Sequence, residues 1–198
     1  GSTVAGTTIQ SGAALDVNGR LVPAGEIISV SGTGLLDSGA IVNNGTGGAN
    51  IGMKNVEFTG ATSFGRSTRF DIRDNLGGLN ANGFRLTKVG TNNIFLANIG
   101  ETHLGEVVIT TGRLAFEGDR TLGDQAGTIT VASGAELGLE DSKVVHTKPI
   151  QVDGGTINAT CPGSQYSIED GSVVTGPATF PLSPEPITVS GDEITLNS

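Results

Sequence analysis

The sequence predicts an all-β protein: a single-stranded, parallel, right-handed β-helix (β-solenoid) with a short C-terminal cap. Three observations lead there. The first is a module with one grammar: polar turn, short apolar alternation, small-residue corner, second short strand. Thr7-Thr8-Ile9-Gln10-Ser11-Gly12-Ala13-Ala14-Leu15-Asp16-Val17 has the same form as Thr128-Ile129-Thr130-Val131-Ala132-Ser133-Gly134-Ala135-Glu136-Leu137-Gly138-Leu139. Ile150-Gln151-Val152-Asp153-Gly154-Gly155-Thr156-Ile157-Asn158 is a shorter relative. Such units recur at roughly 20–27 residues, the range of repeat architectures. The second is composition. The chain of 198 residues carries 32 Gly, no Trp and only 4% aromatics, which suits thin aliphatic layers joined by many tight corners. The third is the near absence of helical periodicity along the chain.

Strands are expected at 7–10, 14–18, 26–31, 40–43, 55–59, 68–73, 84–88, 93–97, 106–110, 113–117, 128–132, 136–139, 143–146, 149–153, 156–158, 167–169, 172–175, 187–190 and 193–196. Most have three to six residues and are followed by Gly, Asn or Asp, as strand and turn signals require. Alternation sets their faces. Val56 and Phe58 point inward, as do Phe70 and Ile72, while Arg69, Asp71 and Arg73 point out. The run Val107-Val108-Ile109 reads as a strand covered on both sides. An antiparallel sandwich would show two-residue hairpins between strands of equal length. Corners of variable length favour the β-helix, and parallel crossovers are right-handed in nearly all cases.

Residues 1–176 form the expected β-helix. Pro177, Pro181, Pro184 and Pro186 then break the coil, since proline cannot donate to a ladder. In 177–198, two strands around Ser190-Gly191-Asp192 are expected to cap the last coil. Gly1-Ser2 reads as an expression scar and the chain as an excised fragment.

Charge and rare residues narrow the function. Residues 1–99 carry 7 basic and 6 acidic side chains, and residues 100–198 carry 4 and 14, giving the net charge of −9. That balance disfavours nucleic acid as a partner, because such proteins carry a basic footprint. No stretch approaches the roughly 20 apolar residues of a membrane span. Cys161 stands alone within Thr160-Cys161-Pro162-Gly163-Ser164, so no internal disulfide and no Cys-based zinc site is expected. His103 and His146 are the only histidines and lack metal-ligand spacing. No cofactor or metal is expected. Ser-Gly pairs such as Ser11-Gly12, Ser133-Gly134 and Ser190-Gly191 read as corners, not nucleophile elbows.

The best candidate binding residues are Arg66, Arg69, Asp71, Arg73 and Asp74, a dense run of both charges on one strand and its ends. A solvated ladder of salt bridges, each worth about 0–1 kcal/mol, is the structural alternative. A second cluster is Glu117, Asp119, Arg120 and Asp124, in a loop. Carboxylates with Arg would suit polysaccharide-cleaving chemistry if they converged on one point. Asn43-Asn44-Gly45 and Asp74-Asn75 could hydrogen-bond sugars, and are also ordinary turn chemistry.

One long stretch carries a family resemblance. Leu86-Thr87-Lys88-Val89-Gly90-Thr91-Asn92-Asn93-Ile94-Phe95-Leu96 is followed by Gly105-Glu106-Val107-Val108-Ile109-Thr110-Thr111-Gly112-Arg113-Leu114-Ala115-Phe116, then Thr121-Leu122-Gly123 and 127–139. Over about 54 residues this resembles the autotransporter-associated β-strand repeat, also called the passenger-associated transport repeat. It departs from the usual pattern at Asn92-Asn93 and at 99–104. The resemblance implies a β-helical passenger region of a large secreted or cell-surface bacterial protein, and it implies no catalytic residues. The expected function is therefore a non-catalytic spacer that projects other domains of the same chain and assists export. The alternatives are a glycan-binding or adhesin module facing an extracellular glycan or host surface, and a polysaccharide-lyase-like fragment.

Overall fold

The computed structural model describes residues 6–73, 78–99, 102–118, 122–124, 126–140, 148–161, 164–166, 173–175, 187–190 and 193–196, with side chains as far as residue 159. The strands are β1 (Thr7–Ile9), β2 (Leu15–Asp16), β3 (Ile27–Gly32), β4 (Ile41–Val42), β5 (Gly52–Met53), β6 (Asn55–Gly65) and β7 (Phe70–Arg73). They continue with β8 (Gly78–Asn80), β9 (Leu86–Lys88), β10 (Asn93–Ala97), β11 (Val107–Ile109), β12 (Gly112–Glu117), β13 (Ile129–Ala132) and β14 (Ala135–Glu140). The last are β15 (Ile150–Asp153), β16 (Thr156–Cys161), β17 (Ser164–Tyr166), β18 (Val173–Thr175), β19 (Ile187–Ser190) and β20 (Glu193–Leu196). Among the described residues the only helical turn is a 3-10 turn at Leu35–Asp37.

The architecture is a β-solenoid of about six coils. From β1 to β16 each strand pairs in parallel with its equivalent one coil away, and the paired residues lie 19 to 30 positions apart. The coil has three sides. β1, β3, the first half of β6 and β8 stack on one side. β2, β4, the second half of β6, β9, β11, β13 and β15 stack on the next. β5, β7, β10, β12, β14 and β16 form the third. β6 runs for 11 residues and serves two sides. The sequence pattern ends this strand at 59, before Gly60. The strand passes that point because the partner register shifts between Val30 and Gly32.

Parallel stacking turns alternation into columns. On the second side Leu15, Ile41, Phe64, Lys88, Ile109, Val131 and Val152 lie over one another. On the third, Ile72, Leu96, Phe116 and Leu139 form one column, and Phe70, Ile94, Leu114, Leu137 and Ile157 another. These apolar side chains belong to one continuous core. The third coil places one phenylalanine on each side. Phe58 and Phe64 meet edge-on at 5.6 Å, Phe64 and Phe70 at 5.9 Å, and all three are fully buried. Such pairs contribute about 0.5–1.5 kcal/mol each beyond area burial. Three rings fill the narrow cross-section, so a chain this poor in aromatics still closes its core.

One corner shows why glycine is needed. Gly52 has φ +136°, and a Cβ there would lie 2.0 Å from the Asp71 carbonyl oxygen. Only a residue without a side chain lets β5 approach β7 this closely. Val108 departs from the expectation of cover on both faces: it is half-buried between buried Val107 and Ile109, because the outer face of the second side meets solvent.

The parallel ladder ends at β16. β16 pairs with β17 antiparallel, Cys161 opposite Ser164, and β17 pairs with β18 antiparallel. β19 and β20 form a separate antiparallel pair, with Ser190 opposite Glu193, and β20 approaches β15. The expected strands at 143–146 and 167–169 lie outside the described residues. The structure adds β5, β8 and β17, which are two or three residues long.

Candidate functional site

The outer face of the third side carries the densest polar network among the described residues. Asp71 projects outward from β7 between Phe70 and Ile72, which face the core. Its carboxylate accepts two hydrogen bonds from Arg69, Nε to Oδ1 and Nη2 to Oδ2, both 2.9 Å. Arg73 Nη2 donates to Oδ2 at 3.0 Å. Arg73 also grips Glu117 on β12 in a fork, Nη1 to Oε1 at 2.7 Å and Nη2 to Oε2 at 2.9 Å. Two-point guanidinium–carboxylate pairing of this kind is among the stronger polar contacts in proteins. Asp71 is the hub, and its side chain is only 1% exposed. The hub of the expected solvated ladder is thus shut away from water.

Register explains how the network extends. Asp71, Phe95, Ala115, Gly138 and Asn158 lie in one outward column. The Arg69 guanidinium stacks 3.8 Å above the Phe95 ring, with Arg113 at 5.4 Å. Phe95 is buried without belonging to the core, because these cations cover it. Arg113 donates to Glu136 at 2.6 Å and also to Glu140, and Asn158 Nδ2 donates to Glu136 at 3.1 Å. Gly138 makes room: a Cβ there would lie 2.7 Å from Arg113 Nη2. Three guanidinium groups and four carboxylates therefore pair with one another across four coils, leaving the buried Arg73 Nε without a hydrogen-bond partner.

The electrostatics follow the geometry. The hydrogen bonds from Arg73 hold the Glu117 carboxyl below its ordinary range against the opposing effect of burial. The same bonds, with Glu117 foremost, push Arg73 further up. Both groups stay ionised across the physiological range.

Of the expected site residues, Arg69, Asp71 and Arg73 come together as alternation requires. Arg66 does not join them. It is exposed, sits at φ +79° where the chain leaves β6, and its charge acts on Asp16. Asp74 lies outside the described residues. The second cluster divides. Glu117 joins the Arg73 network, Asp124 lies 3.7 Å from His103 at a different corner, and Asp119 and Arg120 lie outside the described residues. His146 is also outside them, and for Cys161 only the backbone is described. Sequence reasoning missed Phe95, Arg113, Glu136, Glu140 and Asn158. Alternation places the last four outward, but only the coil register makes them neighbours.

The Asn-rich corner has two parts. Asn43 is buried and fully used: Oδ1 accepts from Gly19 and Gly45, and Nδ2 donates to the Thr46 and Arg69 carbonyls. Asn44 is exposed and donates from its backbone and Nδ2 to Asp16. Among the described residues no group of three or more His, Cys, Asp or Glu is arranged to hold a metal ion. No described helix is long and apolar enough to cross a membrane.

No family model, curated protein or solved structure matches the chain.

Proposed function

We propose that this chain is a non-catalytic β-helical passenger or stalk module of a secreted or cell-surface bacterial protein. It acts as a rigid spacer that projects other domains of the same large chain and assists export. The observation that supports this most is the pairing of charges within the most densely charged face among the described residues. Arg69 is committed to Asp71 of its own coil, Arg73 to Asp71 and to Glu117 two coils on, and Arg113 to Glu136 and Glu140 of the next coil, so the charged groups of this face are taken up by one another. A lyase or hydrolase would need a carboxyl able to hold a proton near neutral pH. Arg73 keeps Glu117 on the ionised side.

A glycan-binding or adhesin role is the second reading. The exposed corner of Asp16, Asn44 and Arg66 favours it, since it groups an amide, a carboxylate and a guanidinium on the surface. A glycan array tests the two readings together. It would compare the wild type with Arg69→Ala/Asp71→Ala and with Asn44→Ala/Arg66→Ala. The spacer reading expects no specific binding by any of the three. Binding lost in either double variant would overturn it and place a site on that face or corner.

A further inference from the structure

A lysine stands in the middle of an apolar column. Lys88 lies between Phe64 of β6 and Ile109 of β11, directed inward with Leu86, and is fully buried. Its Nζ donates to three carbonyl oxygens at the corners: Val89 at 3.0 Å, Gly90 at 2.6 Å and Thr111 at 3.1 Å. Gly90 and Gly112, at φ +75° and +66°, shape those corners, and side chains there would strike the backbone of Arg66, Gly90 and Asn92. The carbonyls belong to consecutive coils, so the ammonium spans the seam between β9 and β11. Thr110 Oγ1 closes the same seam by donating to the Lys88 carbonyl at 2.8 Å.

No described carboxylate answers this charge. The neighbours on β6 and β11 are apolar. The charged groups of β12, which packs against β9 across the core, are Arg113 and Glu117, and both face outward into their own ion pairs. Arg66, at the corner beneath Gly90, has its side chain in solvent. The other buried lysine, Lys148, caps the Leu104 and Asp124 carbonyls two and one coils back. Carbonyl dipoles can satisfy N–H donors, but they do not neutralise a full charge taken out of water. A neutral amine donates two hydrogen bonds into the same cage and gives up the third, which removes the buried charge at the cost of one carbonyl contact.

We propose that Lys88 makes the seam between β9 and β11 a proton-operated weak point, which opens locally when the amine is protonated and tightens when it is neutral. Burial drives the Lys88 ammonium down to about 7, whereas in an opened, hydrated seam it returns toward 10.5. The opened state therefore binds more protons than the closed one between those two values. Closure strengthens as pH rises through that window and is weakest, and flat, below it. The device rests on the fold alone and holds whether or not the spacer reading is right.

The test uses the whole chain. NMR detection of lysine side-chain carbon and nitrogen, with the Lys88 signal identified by its loss in Lys88→Met, would give its titration directly. Hydrogen exchange at the β9 and β11 amides, corrected for intrinsic exchange, would give the opening constant from pH 7 to 9. The expected result is a titration midpoint near neutrality, with an opening constant that falls by up to about tenfold per pH unit in the wild type and stays flat in Lys88→Met. A Lys88 midpoint above pH 10, or the same pH response in both proteins, would overturn the proposal. Should Lys88→Met fail to fold, Lys88→Arg identifies the signal and the wild-type titration decides alone.

Discussion

Replacing Asp71 by Asn tests whether the buried hub of the outer network stabilises the fold. The substitution keeps size and shape but removes the charge that receives two bonds from Arg69 and one from Arg73. It also turns an N–H₂ group toward a guanidinium, donor against donor. Removing one partner of a fully buried ion pair costs about 3–5 kcal/mol. Asp71 is buried to that degree, but the arginine side chains retain 31% and 27% exposure and can regain water. The expected loss is therefore nearer ~2–3 kcal/mol. Urea unfolding followed by circular dichroism would measure it as a lower midpoint at unchanged slope. Arg85→Ala is the internal control. Its bond to Glu106 is 3.5 Å long between half-exposed side chains, and its removal should cost under about 0.5 kcal/mol. Equal, small losses in the two variants would refute the reasoning, because burial of the hub would then have no energetic consequence.

Other outcomes follow from the same structure. Phe64→Ala should lose about 3–5 kcal/mol in urea unfolding, since it empties the ring that touches both Phe58 and Phe70. Leu36→Gly should raise stability by roughly 0.5–1 kcal/mol, because Leu36 is 89% exposed at φ +53° and loses no packing. Acid should weaken the fold in part through Glu117. Its folded-state carboxyl titrates below the ordinary 4.5, so its contribution is complete above that value and is lost as pH falls through the folded value. Glu117→Gln should accordingly show a shallower fall in unfolding midpoint than the wild type when pH is lowered from 5 to 3.

The coil grammar was legible because a strand with one buried face writes its period into the sequence, and Phe70, Ile72, Val56 and Phe58 all fall where alternation puts them. β5 and β8 were not legible. Each begins on a glycine and is too short to show a period, and parallel partners in the neighbouring coils hold it. The site divides the same way. Arg69, Asp71 and Arg73 share a face by simple alternation, whereas Arg113, Glu136 and Asn158 reach it only through coils of unequal length. Arg66 is close to them in sequence, but its own positive φ turns the chain away before β7. The inward direction of Lys88 is legible in the sequence. In Leu86-Thr87-Lys88, an inward leucine at i implies an inward lysine at i+2.

The central claim is a rigid stack, and the distance between its ends tests it most directly. Ala14 precedes the first residue of the Leu15–Val152 column and Gln151 precedes the last, with six strand spacings between them. At about 4.8 Å per spacing the backbones lie roughly 29 Å apart. Spin labels at Ala14→Cys and Gln151→Cys, in a Cys161→Ser background, would report that distance by double electron–electron resonance. A single narrow distribution near 30 Å, unchanged by moderate urea below the unfolding transition, is the predicted result. A broad distribution, or one centred well away from that length, would contradict the stacked-coil spacer.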